Sequence, residues 1–276
     1  ELTLFKWWDL NLAADLQYNT LDADLVNFVY PSRLTSLTAL ATTFRFDKVT
    51  VQGSLLYTFV EDFAREQGAE AGVKNVFTPT LVAQYRPFRK IDLALRAFYK
   101  RIFRMPTLND LYYTFIGNKY LKPEYTTQYN LGIAYTKEWP KARFRKFEVS
   151  LDAYYNEVDD KIIAMPTSNQ FQWTMVNLGY VEIRGADAVV SGTLRFGRLG
   201  IDCRATYTYQ KAQDFTDSSS SYYGGQIPYI PWHSGSAIVG LSLGDWSLDY
   251  SFIYTGERYE SSANIPENHA LAWYTS

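Results

Sequence analysis

The chain has 276 residues and a formal charge of −2, and its even balance of acids and bases gives no sign of a polyanionic partner such as nucleic acid. Aromatic residues are the outlier at 17%, 23 of them tyrosine, and amphipathic rings suit a boundary between an apolar body and water, as at a membrane interface. One cysteine, Cys203, excludes an internal disulfide and any multi-cysteine metal site, and no run of 18 apolar residues supplies a transmembrane helix.

Alternation with period two dominates the chain and predicts strands. In 11–19, Leu12, Ala14, Leu16 and Tyr18 alternate with polar residues, and a weaker partner follows at 34–46. From Val49 one face carries Val51, Leu55, Tyr57 and Phe59 and the other Gln52, Ser54 and Thr58, with a partner at 76–86. From Ile91 the apolar face is Leu93, Leu95, Ala97 and Tyr99, with a partner at 126–136. From Phe147 it is Val149, Leu151, Ala153 and Tyr155, against Glu148, Ser150, Asp152 and Tyr154, with a partner at 186–196. Ile201 to Gln210 and Trp246 to Thr255 repeat the pattern, and 236–243 lies between them. In this reading Val51, Leu55, Leu95, Leu151 and Leu248 face lipid, while Gln52, Arg96, Asp152 and Thr206 face the opposite side.

Six of these strands share a ruler. A tyrosine stands eight positions after an apolar residue in each: Leu10 to Tyr18, Val49 to Tyr57, Ile91 to Tyr99, Phe147 to Tyr155, Ile201 to Tyr209 and Trp246 to Tyr254. Eight steps of about 3.3 Å, tilted by about 45°, rise roughly 19 Å, a little short of an apolar band edged by aromatics. Connections alternate too, with short ones at 47–48, 86–90, 137–143, 197–200 and 244–245. Long ones lie at 20–32, 61–75, 104–125, 157–180, 211–233 and 256–270, each after a strand that ends in the tyrosine ring. The expected class is therefore all-β: a transmembrane antiparallel up-and-down β-barrel. A β-propeller is the alternative for a period of about 45 residues, but propeller strands are shorter than these.

About eleven strands can be traced, with the end of another at 1–5 and the start of a twelfth at 270–276. A barrel in lipid must close, so the chain reads as part of a larger one, with residues 1–276 a single barrel portion and no internal linker. No basic stretch followed by an apolar core opens it, so no signal peptide is read there.

Residues 104–132 read RMPTLNDLYYTFIGNKYLKPEYTTQYNLG. This stretch resembles one in the barrel of TonB-dependent outer-membrane receptors, in the style of cobalamin, haem and siderophore receptors. The matching positions include Arg104, Pro106, Thr107, Asn109, Asp110, Gly117, Asn118, Lys122, Pro123 and Glu124, and the IPYIPWH at 227–233 resembles the proline-rich entry to a late strand. The resemblance implies a 22-strand barrel, an internal plug absent from this chain and a location in the bacterial outer membrane. It further implies uptake of a scarce nutrient, energised by a TonB complex acting through the missing N-terminal part. A structural reading of the motif stands beside it: prolines stiffen the loop ends, Gly117–Asn118 turns, and Asn109 or Asp110 caps a helical turn.

The two histidines, His233 and His269, stand near loop ends, and His233 beside Ser234 points to the opposite face of a strand, so no catalytic or metal site is assigned. No cofactor is called for. The stripe Arg96, Lys100 and Arg104, with Arg101 at its outer end, either steers an anionic ligand or pairs with acids on neighbouring strands or a plug. Tyr112, Tyr113, Phe115, Trp173, Tyr222 and Tyr223 either stack on a planar ligand or pack on one another. Besides uptake of a small-molecule nutrient, two readings remain: a passive porin-like barrel, and a barrel that anchors a surface protein complex.

Overall fold

The computed structural model describes residues 2–24, 28–65, 72–113, 116–166, 172–261, 264, 269–271 and 274–275, with no side chain described from 269 onward. One sheet holds β1 (Leu2–Phe5), β2 (Trp8–Thr20), β3 (Ser32–Arg45), β4 (Val49–Phe63), β5 (Val73–Tyr85) and β6 (Asp92–Arg104). After the short helix α1 (Leu108–Tyr112) it continues with β7 (Glu124–Glu138), β8 (Phe144–Pro166), β9 (Trp173–Phe196), β10 (Leu199–Asp214), β11 (His233–Leu243) and β12 (Trp246–Thr255). The ribbon β13 (Arg258–Tyr259) with β14 (His269–Leu271) stands apart, and β15 (Tyr274–Thr275) pairs with β12. Strands β1 to β12 lie side by side in chain order, each antiparallel to the next, as an up-and-down barrel wall requires.

From β2 to β12 the register carries the alternation across the wall, with one shift, at Phe144–Lys146 where β8 begins. One row reads Gln84, Arg96, Gly132, Asp152, Asp187, Thr208 and Ser234, and the row beside it Tyr85, Leu95, Ile133, Leu151, Ala188 and Tyr207. Side chains alternate faces along every strand, so the first row belongs to the inner face and the second to the outer. Large apolar side chains are left bare on the outer face, Leu12 at 72% and Leu16 at 69% exposed, a pattern that suits lipid rather than water. The core instead sits inside the wall at its long-loop end. Val158, Val181, Ala212 and Ile227 form one cluster there and Leu111, Leu121 and Ile162 a second.

The tyrosine ruler becomes a ring through the stagger of the strands. Followed along the paired rows, the tyrosine steps back by four residues from β2 to β4, four from β4 to β6, none to β8, two to β10 and two to β12. That mean drift, a little over one residue per strand, is the shift that a tilt of roughly 40° imposes on side chains held near one height. At the short-turn end Trp8 stacks on Phe44 with ring centroids 5.9 Å apart, so the apolar band has aromatics at both edges.

Three expectations change. The connection expected at 157–180 is mostly strand: β8 and β9 run to 23 and 24 residues, paired from Phe144↔Leu194 to Pro166↔Trp173. Alternation fades there because inward-folded loops cover the hairpin, and at Asp160, which has φ 51°, the ladder passes over one position opposite Gly179. The twelfth strand expected at 270–276 is divided among the described residues, since His269–Leu271 pairs with β13 and Tyr274–Thr275 joins the sheet. Arg101 does not join the inner stripe: its parity puts it outside, 5.6 Å from the Tyr125 ring. The β5–β6 ladder is also short, six pairs from Thr80↔Lys100 to Tyr85↔Leu95. It begins one residue after Pro79, which has no N–H to give.

Candidate functional site

Strand parity sets the inner face, and glycines let its long side chains cross between strands. Gly132 lies between Arg96 and Asp152 in one row, and the guanidinium passes over it to reach the Asp152 carboxylate at 2.9 Å. A Cβ at Gly132 would strike Asp152 and crowd Arg96 at 3.4 Å. Gly185 in the same way leaves room for the ring of Tyr154 opposite it. One row farther towards the long loops stand Lys100, Gln128 and Asn156, and Lys100 has no ion-pair partner among the described residues.

Above that row the β6–β7 connection folds onto the inner face. Thr107 caps α1, accepting from the Asp110 N–H at 3.0 Å, and the Asp110 carboxylate accepts from the Thr107 N–H at 2.9 Å. This capping box corrects the expectation that Asn109 or Asp110 would be the cap; Thr107 precedes the turn and Asp110 is its reciprocal partner. Arg104 reaches Asp110 at 3.3 Å and Glu124 at 3.5 Å. Glu124, only 6% exposed, also meets Lys161 at 3.5 Å and accepts from the Ile162 N–H at 2.9 Å. Asn118 donates to the Met175 carbonyl, and the Met175 N–H donates to the Ile116 carbonyl, tying the loop to β9. Gly117 has no room for a Cβ, which would lie 2.6 Å from the Tyr113 nitrogen. Pro123 leads into β7, and the buried Pro106 presents its carbonyl to Arg33 on β3 at 2.6 Å. Arg33 makes two further bonds to Asp62 on β4, at 2.5 and 2.7 Å, with both side chains buried.

The β10–β11 connection folds inward as well. Ile227 enters the cluster on Val158 and Val181, and Gln226 accepts from the Ala212 N–H at 3.0 Å. Of the expected aromatics, Trp173 packs on Tyr229 at 5.6 Å and Tyr223 meets Phe215 edge-on at 5.2 Å. Tyr112 lies against the Leu111 cluster, while Tyr113 and Tyr222 stay exposed. Phe115 lies outside the described residues, as does the side chain of His269. His233 faces outward, its Nδ1 2.7 Å from the Tyr207 hydroxyl.

Of the stripe, then, Arg96 and Arg104 are ion-paired and only Lys100 is left to face the lumen unpaired among the described residues. The Arg33–Asp62–Pro106 contact was not anticipated from sequence; the signal available was a charged residue on the inward parity of each strand, with no means of matching them. Among the described residues no three His, Cys, Asp or Glu side chains gather as metal ligands.

A family model described as the β-barrel of TonB-dependent receptor-like proteins matches residues 3–276. The vitamin B12 transporter BtuB of Photobacterium profundum is 27% identical over 165 residues, 59% of this chain and 24% of that protein. BtuB of Vibrio vulnificus is 33% identical over 85 residues, 31% of this chain and 13% of that protein. Among solved structures, the copper transporter OprC superposes with a TM-score of 0.73 at 15% identity, over 98% of this chain and 45% of that one. The FrpB iron transporter of Neisseria meningitidis gives 0.65 at 13%, over 99% and 45%. The chain thus spans about a quarter of the first curated relative and under half of these structures.

Proposed function

The chain belongs to the TonB-dependent receptor-like β-barrels, and from that membership we propose that it forms one side of a bacterial outer-membrane receptor that imports a scarce nutrient. The candidate ligands are a ferric siderophore, haem or cobalamin, with a plug supplied by parts of the protein beyond this chain and energy from a separate TonB complex acting through them. The observation that carries the reading is the mouth. Two connections fold inward and pack their apolar side chains onto β8 and β9, so the long-loop end of this wall is narrowed by ordered loops, as suits a mouth that selects its ligand. Lys100, Gln128 and Asn156 share one inward row beneath these loops, with Arg96 and Arg104 on the same face of β6, Tyr112 and Tyr113 in the β6–β7 connection and Trp173 at the start of β9.

Cells expressing the full-length receptor are expected to accumulate one of these three ligands only while the inner membrane is energised. Accumulation that continues at the same rate after the proton gradient is collapsed would mean a passive pore instead.

For an anionic ligand, the ion pairs leave steering to Lys100. Long-range attraction is screened beyond about 8 Å at physiological ionic strength. Lys100→Gln is therefore expected to slow association at low salt, its on-rate converging on the wild-type value as salt rises. Removing the neutral pair whole, Arg96→Gln with Asp152→Asn, should alter barrel stability and leave the salt slope alone. Parallel on-rate curves for Lys100→Gln and wild type would remove Lys100 from ligand capture.

A further inference from the structure

Charge is divided unevenly between the two ends of the barrel wall. The short turns after β3, β5, β7, β9 and β11, with their flanks (45–48, 86–90, 137–146, 195–198 and 244–245), carry twelve Lys or Arg against three Asp or Glu. The whole chain is −2, so everything outside these segments is −11. Four of the twelve are neutralised nearby: Arg45 by Asp9, Arg89 by Asp47 at 2.8 Å, Lys146 by Glu148 at 2.9 Å and Arg195 by Asp202 at 3.0 Å. Arg89 holds the Asp47 carboxyl below the ordinary carboxylate range. The other eight, Lys137, Arg143 and Arg198 among them, make no ion pair among the described residues.

Two of these free cations, Lys137 and Arg143, stand among aromatics on the outer face. Lys137 lies on the outward parity of β7, opposite Phe147, with its ammonium 5.9 Å from the Trp139 ring. The Arg143 guanidinium lies 6.0 Å from the ring of Phe196, an outward side chain that is 43% exposed. Trp139 packs in turn on Phe144 at 5.4 Å, and Arg198 is exposed in the turn between β9 and β10. An acidic protein docking from below would be met by cations around the lumen opening. Cations interleaved with rings on the lipid-facing side suit a bilayer boundary, where rings sit at headgroup depth and long basic side chains reach the phosphates.

We propose that the outward rim made by the β7–β8 and β9–β10 turns binds the phosphate headgroups of anionic phospholipids in the leaflet on the short-turn side. Lys137, Arg143 and Arg198 supply the charge, and Trp139 and Phe196 fix the depth. The proposal rests on the reading of this wall as membrane-spanning.

The test places the full-length receptor in vesicles doped with brominated phosphatidylglycerol or brominated phosphatidylethanolamine, and tryptophan quenching gives the relative affinity. Wild type should prefer phosphatidylglycerol by about fivefold, roughly the contribution of one interfacial cation. The triple variant Lys137→Gln, Arg143→Gln, Arg198→Gln should bring the ratio to about one, and Lys119→Gln at the opposite end should leave it unchanged. Equal quenching by the two lipids in wild type overturns the proposal, as an acidic protein partner would predict, and so does a preference that survives the triple change. Quenching by neither lipid would instead refute the membrane-spanning reading itself.

Discussion

Replacing Asp62 by alanine is expected to destabilise the barrel by about 3–5 kcal/mol, the usual cost of leaving one charge of a buried pair without its partner. Arg33 would keep the Pro106 carbonyl, at 2.6 Å, but lose both bonds to the carboxylate. Because the same guanidinium positions Pro106, the loss should also reach the β6–β7 connection, raising hydrogen exchange at Leu111 and Asn118, whose amides bond within that loop. Replacing the pair by Met at Arg33 and Leu at Asp62 should recover much of the stability, since an apolar pair of similar volume leaves no orphaned charge. Urea unfolding of the reconstituted receptor gives the energies. A cost under about 1 kcal/mol for Asp62→Ala, the range of surface pairs, would show that the contact is solvated and not a clamp.

Leu151→Arg should cost about 2–4 kcal/mol, the penalty for a cation near the midplane of the lipid face. Leu151 lies four residues from both Phe147 and Tyr155, midway across the band, and is 50% exposed on the outer face. Asp152 is a poor comparison, because Arg96 holds it and an arginine there would oppose a like charge. Ser150 is the better one: it faces inward, paired with Ala134 and Val189, two positions from Glu148 and from Asp152. Ser150→Arg should therefore be nearly neutral in the same unfolding measurement. Equal costs at the two adjacent positions would mean that the register of β8 has been assigned to the wrong faces.

Strand positions and their facing were legible because period-two alternation survives wherever one side of a strand meets lipid and the other water. That is why 147–155 announces itself and 157–166 does not. Past Asp159, β8 no longer pairs with β7, and its buried positions, Val158 and Ile162, are covered by loops that come from elsewhere in the chain. The basic stripe was legible as a set of charges but not as a set of ion pairs. Arg96 finds Asp152 two strands away only because Gly132 stands between them, a fact fixed by register and not by local sequence. Arg33, Asp62 and Pro106 lie up to 73 positions apart, beyond the reach of any pattern along the chain.

Between β5 and β6 the wall behaves like a seam stitched over part of its length. Six pairs join two strands of thirteen residues each. Hydrogen-bonded ladders resist sliding of one strand past the next, so shear stiffness here is concentrated below Pro79. Above it the two sides are held in line by the strut from Arg33 to Pro106, which spans from β3 to the chain leaving β6. A displacement of the β6–β7 loop is thereby delivered to β3 and β4 as well as to the strands it connects, and it travels there through one guanidinium.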